Sequence, residues 1–169
     1  MTEASMTLTP ANHASLTPSQ ISLLRKLSDF DAPFLRERLV IRDRKLSNEE
    51  FNELFTEFKK FVALCSISGK SLTVPSASVD DIWHQFILFT QLYERFCNEF
   101  LGFFLHHWPS SSFTVSPKNG IRDFLLSYAE VFGELSPVWG VEKMCQDPKE
   151  LEAAGCSASP SCNGCHAPS

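Results

Sequence analysis

The chain has 169 residues, a formal net charge of -5 and 43% hydrophobic residues, figures that suit one soluble domain with its own core. It has no basic block to neutralise phosphates, so direct nucleic-acid binding is not expected. No apolar run reaches the ~18 residues that a membrane span needs.

Residues 1–16 are rich in Ser, Thr and Ala and read as disordered. They lack the basic and apolar regions of a secretory signal. The expected compartment is therefore the cytoplasm, where the six Cys stay as thiols. Thr17-Pro18 opens a first helix, with Thr as the cap and Pro in the first turn. A second helix is expected from Pro33 to about Ile41.

Ser47-Asn48-Glu49-Glu50 is a capping box. The helix after it has a clear stripe: Phe51, Leu54, Phe55, Phe58, Phe61, Val62 and Cys65 share one side, while Glu53, Glu57, Lys59 and Lys60 lie elsewhere. After a loop with Gly69 and Pro75, Ser78-Val79-Asp80-Asp81 is read as the cap of one long helix that continues through Cys97. Gly102 and Pro109 bound its far end, and a last helix runs from Ile121 to about Leu135. No alternation of period two is sustained. The expectation is an all-α bundle of about five helices over residues 17–140, with a flexible Cys-rich tail over 141–169.

The string Val79-Asp80-Asp81-Ile82-Trp83-His84 is followed by Tyr93, Cys97, Gly102 and His106-His107. Near the end come Tyr128, Phe132-Gly133 and Pro137-Val138-Trp139-Gly140. Together they resemble the glycine-rich domain-containing protein-like family over roughly residues 47–140. The resemblance implies little about activity. Many bacterial members of that family end in a Gly- and Cys-rich tail, whereas the tail here has the cysteines but little glycine.

Three groups of residues could carry chemistry. His84 reads as a ligand or base oriented by Asp80 four residues earlier, or as an ordinary polar-face His. On a continuous helix it points away from Tyr93 and Cys97, so a site at His84 must recruit another segment, such as the loop before Ser78 or the His106-His107 turn. His84, His106 and His107 together would supply the three His of an open zinc site. Tyr93 and Cys97, spaced by four, read as packing: no cation shares their face to activate the thiol.

In the tail, Cys156, Cys162, Cys165 and His166 form a second set suited to zinc or copper. Cys162-Asn163-Gly164-Cys165-His166 also matches the haem-attachment pattern C-x-x-C-H, but the sequence offers neither an export signal nor a helix to hold a haem. No G-x-S-x-G, Walker A, G-x-G-x-x-G or H-E-x-x-H string is present. The reading that follows is a binding or adaptor protein with a protein partner. The alternative is a metalloenzyme that uses His84 with His106 and His107.

Overall fold

Helix α1, Pro18–Asp29, begins under a closed box: the Thr17 side chain accepts from the Gln20 amide, and the Gln20 side chain accepts from the Thr17 amide. The computed structural model describes residues 8–11, 15–107 and 119–140. The tail residues Cys156, Cys162, Cys165 and His166 and the turn after His107 lie outside them. Of the first sixteen residues, Leu8 is buried and its amide donates to Ser28 Oγ, and the Ala11 amide donates to the Val131 carbonyl.

Helix α2, Pro33–Arg36, passes into a π turn over Glu37–Arg42. Helix α3, Asn48–Ile67, carries the second capping box, Ser47 with Glu50. Helix α3 is the axis of the fold and packs against α1, against α4 (Ala77–Leu88) and against α6 (Gly120–Phe132). That placement explains one departure from the sequence reading. Glu57 and Lys59 sit off the apolar stripe, yet they are only 4% and 6% exposed, because neighbouring helices cover the side that would otherwise meet water.

Both of these buried charges are answered. Lys59 Nζ donates to the carbonyls of Ser28 and Phe30 at 3.2 Å, at the end of α1 where carbonyls lack helical partners. Burial holds its pKa below the ordinary lysine value, against the opposing pull of Asp31 and Asp29. Glu57 Oε2 accepts from Trp139 Nε1 at 2.7 Å and from the Tyr128 hydroxyl at 2.9 Å. Its other oxygen takes Lys60 Nζ at 2.8 Å. The Pro137–Trp139 turn that follows α6 is thereby tied to the middle of α3.

The long helix expected through Cys97 is two helices. Helix α4 ends at Leu88, Phe89 leaves the helical region with φ -88° and ψ 61°, and α5 runs over Thr90–Phe96. A π turn over Cys97–Leu101 follows and closes on left-handed Gly102. The break lets Phe89 pack on Phe34, with ring centroids 4.9 Å apart, and turns α5 so that Tyr93 faces back toward α4. No Gly or Pro marks the position. The cap also moves: Ser76, not Ser78, accepts the Val79 amide, and its hydroxyl donates to the Val138 carbonyl at 2.9 Å. The all-α expectation holds: the described residues form six α-helices and no strand. Among them no helix is long and apolar enough to cross a membrane.

Candidate functional site

The N-terminal half of α4 has two uses. Val79, Ile82, Trp83 and Phe86 are buried against α3 and its neighbours, and Asp80 and His84 lie on the side left over, one helical turn apart. An acidic group in a first turn is favoured by the helix dipole. Asp80 therefore sits well where it is, without having to serve chemistry.

His107 arrives from outside the helix. Its Nε2 lies 2.8 Å from Asp80 Oδ1, and its side chain is only 9% exposed. The ring is held on both sides: Trp83 meets it edge-on at 4.5 Å and the His84 ring lies 4.4 Å away. His84 Nε2 is 3.6 Å from the other oxygen of Asp80, too far for a good hydrogen bond, and its Nδ1 is 3.9 Å from Asp81. The carboxylate expected to orient His84 thus holds His107 more closely.

One atom each from Asp80, His84 and His107 lies within 4.8 Å of the others. Two atoms bound to one ion at about 2.1 Å sit about 3.0–3.4 Å apart in octahedral or tetrahedral geometry. The 4.8 Å limit is wider than that range, and the His84 side chain, 42% exposed and 3.6 Å from the Asp80 oxygen that His107 does not hold, has room to close the rest. His106 does not join the group. It is exposed and its ring turns to Phe104, 4.9 Å away. Adjacent residues in extended chain point opposite ways, so only one of the pair can face Asp80.

The segment that delivers His107 is pinned two residues earlier. Trp83 Nε1 donates to the Tyr93 hydroxyl at 2.9 Å, and that hydroxyl donates to the Leu105 carbonyl. Burial, outweighing the Trp83 bond, drives the Tyr93 pKa well above the ordinary tyrosine value, so the hydroxyl keeps its proton and remains a donor. Cys97 is buried beneath it, and burial raises its thiol too. Tyr93 and Cys97 are therefore packing and positioning groups. The Trp83–Tyr93–Leu105 link was not legible in the sequence, because it depends on the break at Phe89.

Beside the cluster lies a cleft of about 400 Å³. His84 and His107 form part of its polar lining, with Gln85 and His106 near them. Ile87, Leu88, Phe104, Leu105 and the Tyr93 ring make the rest. His84 and Tyr93, on different faces of an unbroken helix, border one cleft because α4 and α5 are separate.

The family model that matches the chain is that of the UCP032817-like proteins, over residues 23–128. This stretch is well over half the sequence and contains α1 from Leu23 onward, α2 to α5, most of α6 and the whole Asp80–His84–His107 cluster. The chain belongs to the UCP032817-like family. The resemblance to the glycine-rich domain-containing protein-like family is corrected accordingly, since nothing in the comparisons points to it. Of the residues that carried that resemblance, Val79, Ile82, Trp83, Tyr93, Cys97, Tyr128 and Trp139 are buried positions, where packing sets the residue. No curated protein and no solved structure matches this member of the UCP032817-like family.

Proposed function

We propose that this UCP032817-like protein is a divalent-metal-binding protein that holds its ion with Asp80, His84 and His107 and presents it to the neighbouring cleft. The observation that carries the reading is the approach of a nearly buried His107 from a separate segment to the Asp80–His84 pair. Two imidazoles and one carboxylate suit zinc and similar first-row ions and leave coordination positions open for a further ligand. His107 would exchange the proton between Nε2 and Asp80 for the ion. The set holds no thiolate, so copper(I) is not its natural ion. His106 is left out of the set.

Elemental analysis tests this on the full chain with Cys156, Cys162 and Cys165 replaced by Ser, after zinc loading and desalting. About one zinc per chain is expected, lost in His84→Ala and in His107→Ala while the helical circular-dichroism signal remains. Zinc-free protein, or zinc that persists in both variants, would overturn the reading. The soft-metal role of Cys156, Cys162, Cys165 and His166 rests on sequence spacing alone. It predicts further metal in the chain that retains those residues.

A second reading, a module that docks a protein partner, is favoured by the exposure of Leu88, Leu92, Phe103 and Phe104. Leu92→Ser with Phe103→Ser separates the two readings, since both residues lie outside the zinc set and the cleft lining. The pair would leave zinc uptake intact and abolish partner binding. A cytoplasmic setting is consistent with Cys65 and Cys97 as free thiols.

A further inference from the structure

We infer that the cleft takes a small organic acid, with an apolar body of about the size of one ring and a short chain, whose anionic head binds the metal. The inference rests on the metal reading above and extends it to the ligand. A divalent ion held by two neutral imidazoles and one carboxylate keeps a net charge of +1, so an anionic donor is the preferred occupant of its open positions. Among the described residues no Lys or Arg lines the cleft, and the chain as a whole is acidic. Among those residues the countercharge for an anion would come from the ion, and binding should depend on metal.

The body of the ligand follows from the walls. Away from the imidazoles the cleft is bordered by Ile87, Leu88, Phe104 and Leu105 with the Tyr93 ring. The Tyr93 hydroxyl is already committed to Trp83 and Leu105, so that side presents ring and not a polar group. Leu88 is 69% exposed and Phe104 43% exposed. An apolar body between them would remove their surface from water, which favours binding. A volume of about 400 Å³ is at the small end of ligand sites and suits a body of one ring and a short chain.

The test uses full-length protein loaded with cobalt(II), whose visible spectrum reports the ligands of the ion, titrated with three probes. The first, 3-phenylpropanoate, has both head and body. Acetate has the head alone, and 3-phenylpropan-1-ol the body without the charge. Phenylpropanoate is expected to change the spectrum at concentrations about tenfold or more below those needed for acetate, and the alcohol to leave it unchanged. Leu88→Ser should remove most of that tenfold advantage without unfolding the protein, since the side chain faces water. Calorimetry on metal-free protein should show no phenylpropanoate binding.

Equal responses to acetate and phenylpropanoate would overturn the apolar body and leave the metal site standing. Phenylpropanoate binding of equal strength without metal would overturn the metal-bound head. Failure of cobalt to bind, or its retention in His107→Ala, would overturn the metal reading and this inference with it.

Discussion

The indole N–H of Trp139 donates to Glu57 Oε2 across 2.7 Å, joining residues 82 positions apart in the chain. The same carboxylate holds Tyr128 and Lys60, so four residues from three elements share one buried polar knot. Removing the carboxylate leaves an indole N–H, a phenol and an ammonium without it. Glu57→Ala should cost about 3–5 kcal/mol, and Glu57→Gln, which keeps an acceptor but loses the charge facing Lys60, should cost less. Urea unfolding midpoints of the two variants would show it. Equal midpoints for Glu57→Ala and the unaltered chain would mean that the knot contributes nothing.

Tyr93→Phe removes one oxygen and breaks two links, leaving the Trp83 indole and the Leu105 carbonyl unpaired. A loss of about 1–3 kcal/mol is expected. Because Leu105 anchors the segment that carries His107, zinc affinity should fall by about 10–100-fold, as it does when groups behind metal ligands are removed. Competition with a chromophoric chelator measures this. A variant that is less stable but binds zinc as tightly would show that Tyr93 does not position His107.

Burial pushes the Cys65 thiol from 9.0 up to about 12, and burial raises Cys97 as well. Iodoacetamide at pH 8 should therefore leave both unlabelled in folded protein and label both in urea, read by peptide mass spectrometry. The unfolded chain releases these protons at lower pH than the folded one. The stability they contribute is thus complete below pH 9 and declines between pH 9 and about 12. Tyr93, Tyr128 and Lys60, all with raised values, act in the same direction. Lys59, whose value is lowered, acts in the opposite one. Melting temperature should fall over that range, and Cys65→Ala should make the fall shallower.

Gly120 opens α6 against the loop before α4, where its carbonyl accepts from the Thr73 amide. A methyl group added there would overlap the Thr73 hydroxyl and lie 2.9 Å from the Thr73 Cβ. Gly120→Ala should destabilise by about 1–3 kcal/mol, although alanine is the better helix former. A thermal melt decides between those opposed effects.

Apolar stripes and two of the three caps are local signals that were legible. Thr17 with Pro18 and Ser47 with Glu50 start the helices where the sequence puts them, whereas the cap read at Ser78 belongs to Ser76. The Asp80–His84 spacing was legible as well, and the His106-His107 turn was one of two segments, with the loop before Ser78, that the sequence offered to approach it. Three features were not, because each depends on tertiary contact. Glu57 and Lys59 lie off the apolar stripe, and only the packing of α1 and α6 shows that they are buried. Phe89 breaks a helix with no Gly or Pro to announce it, its distortion offset by the Phe34 contact. The choice of His107 over His106 depends on which ring the Tyr93–Leu105 bond turns toward Asp80.

Helix α4 carries core on one side and Asp80 and His84 on the other. Successive residues of a helix are separated by about 100°, so its rotational seating fixes both sides at once. Ile82 and Phe86 cannot reseat without swinging His84 away from His107. On the proposed metal reading, zinc affinity would be a gauge of interior packing: a substitution deep beneath α4, far from any ligand atom, should register as a change in metal binding before it registers as unfolding.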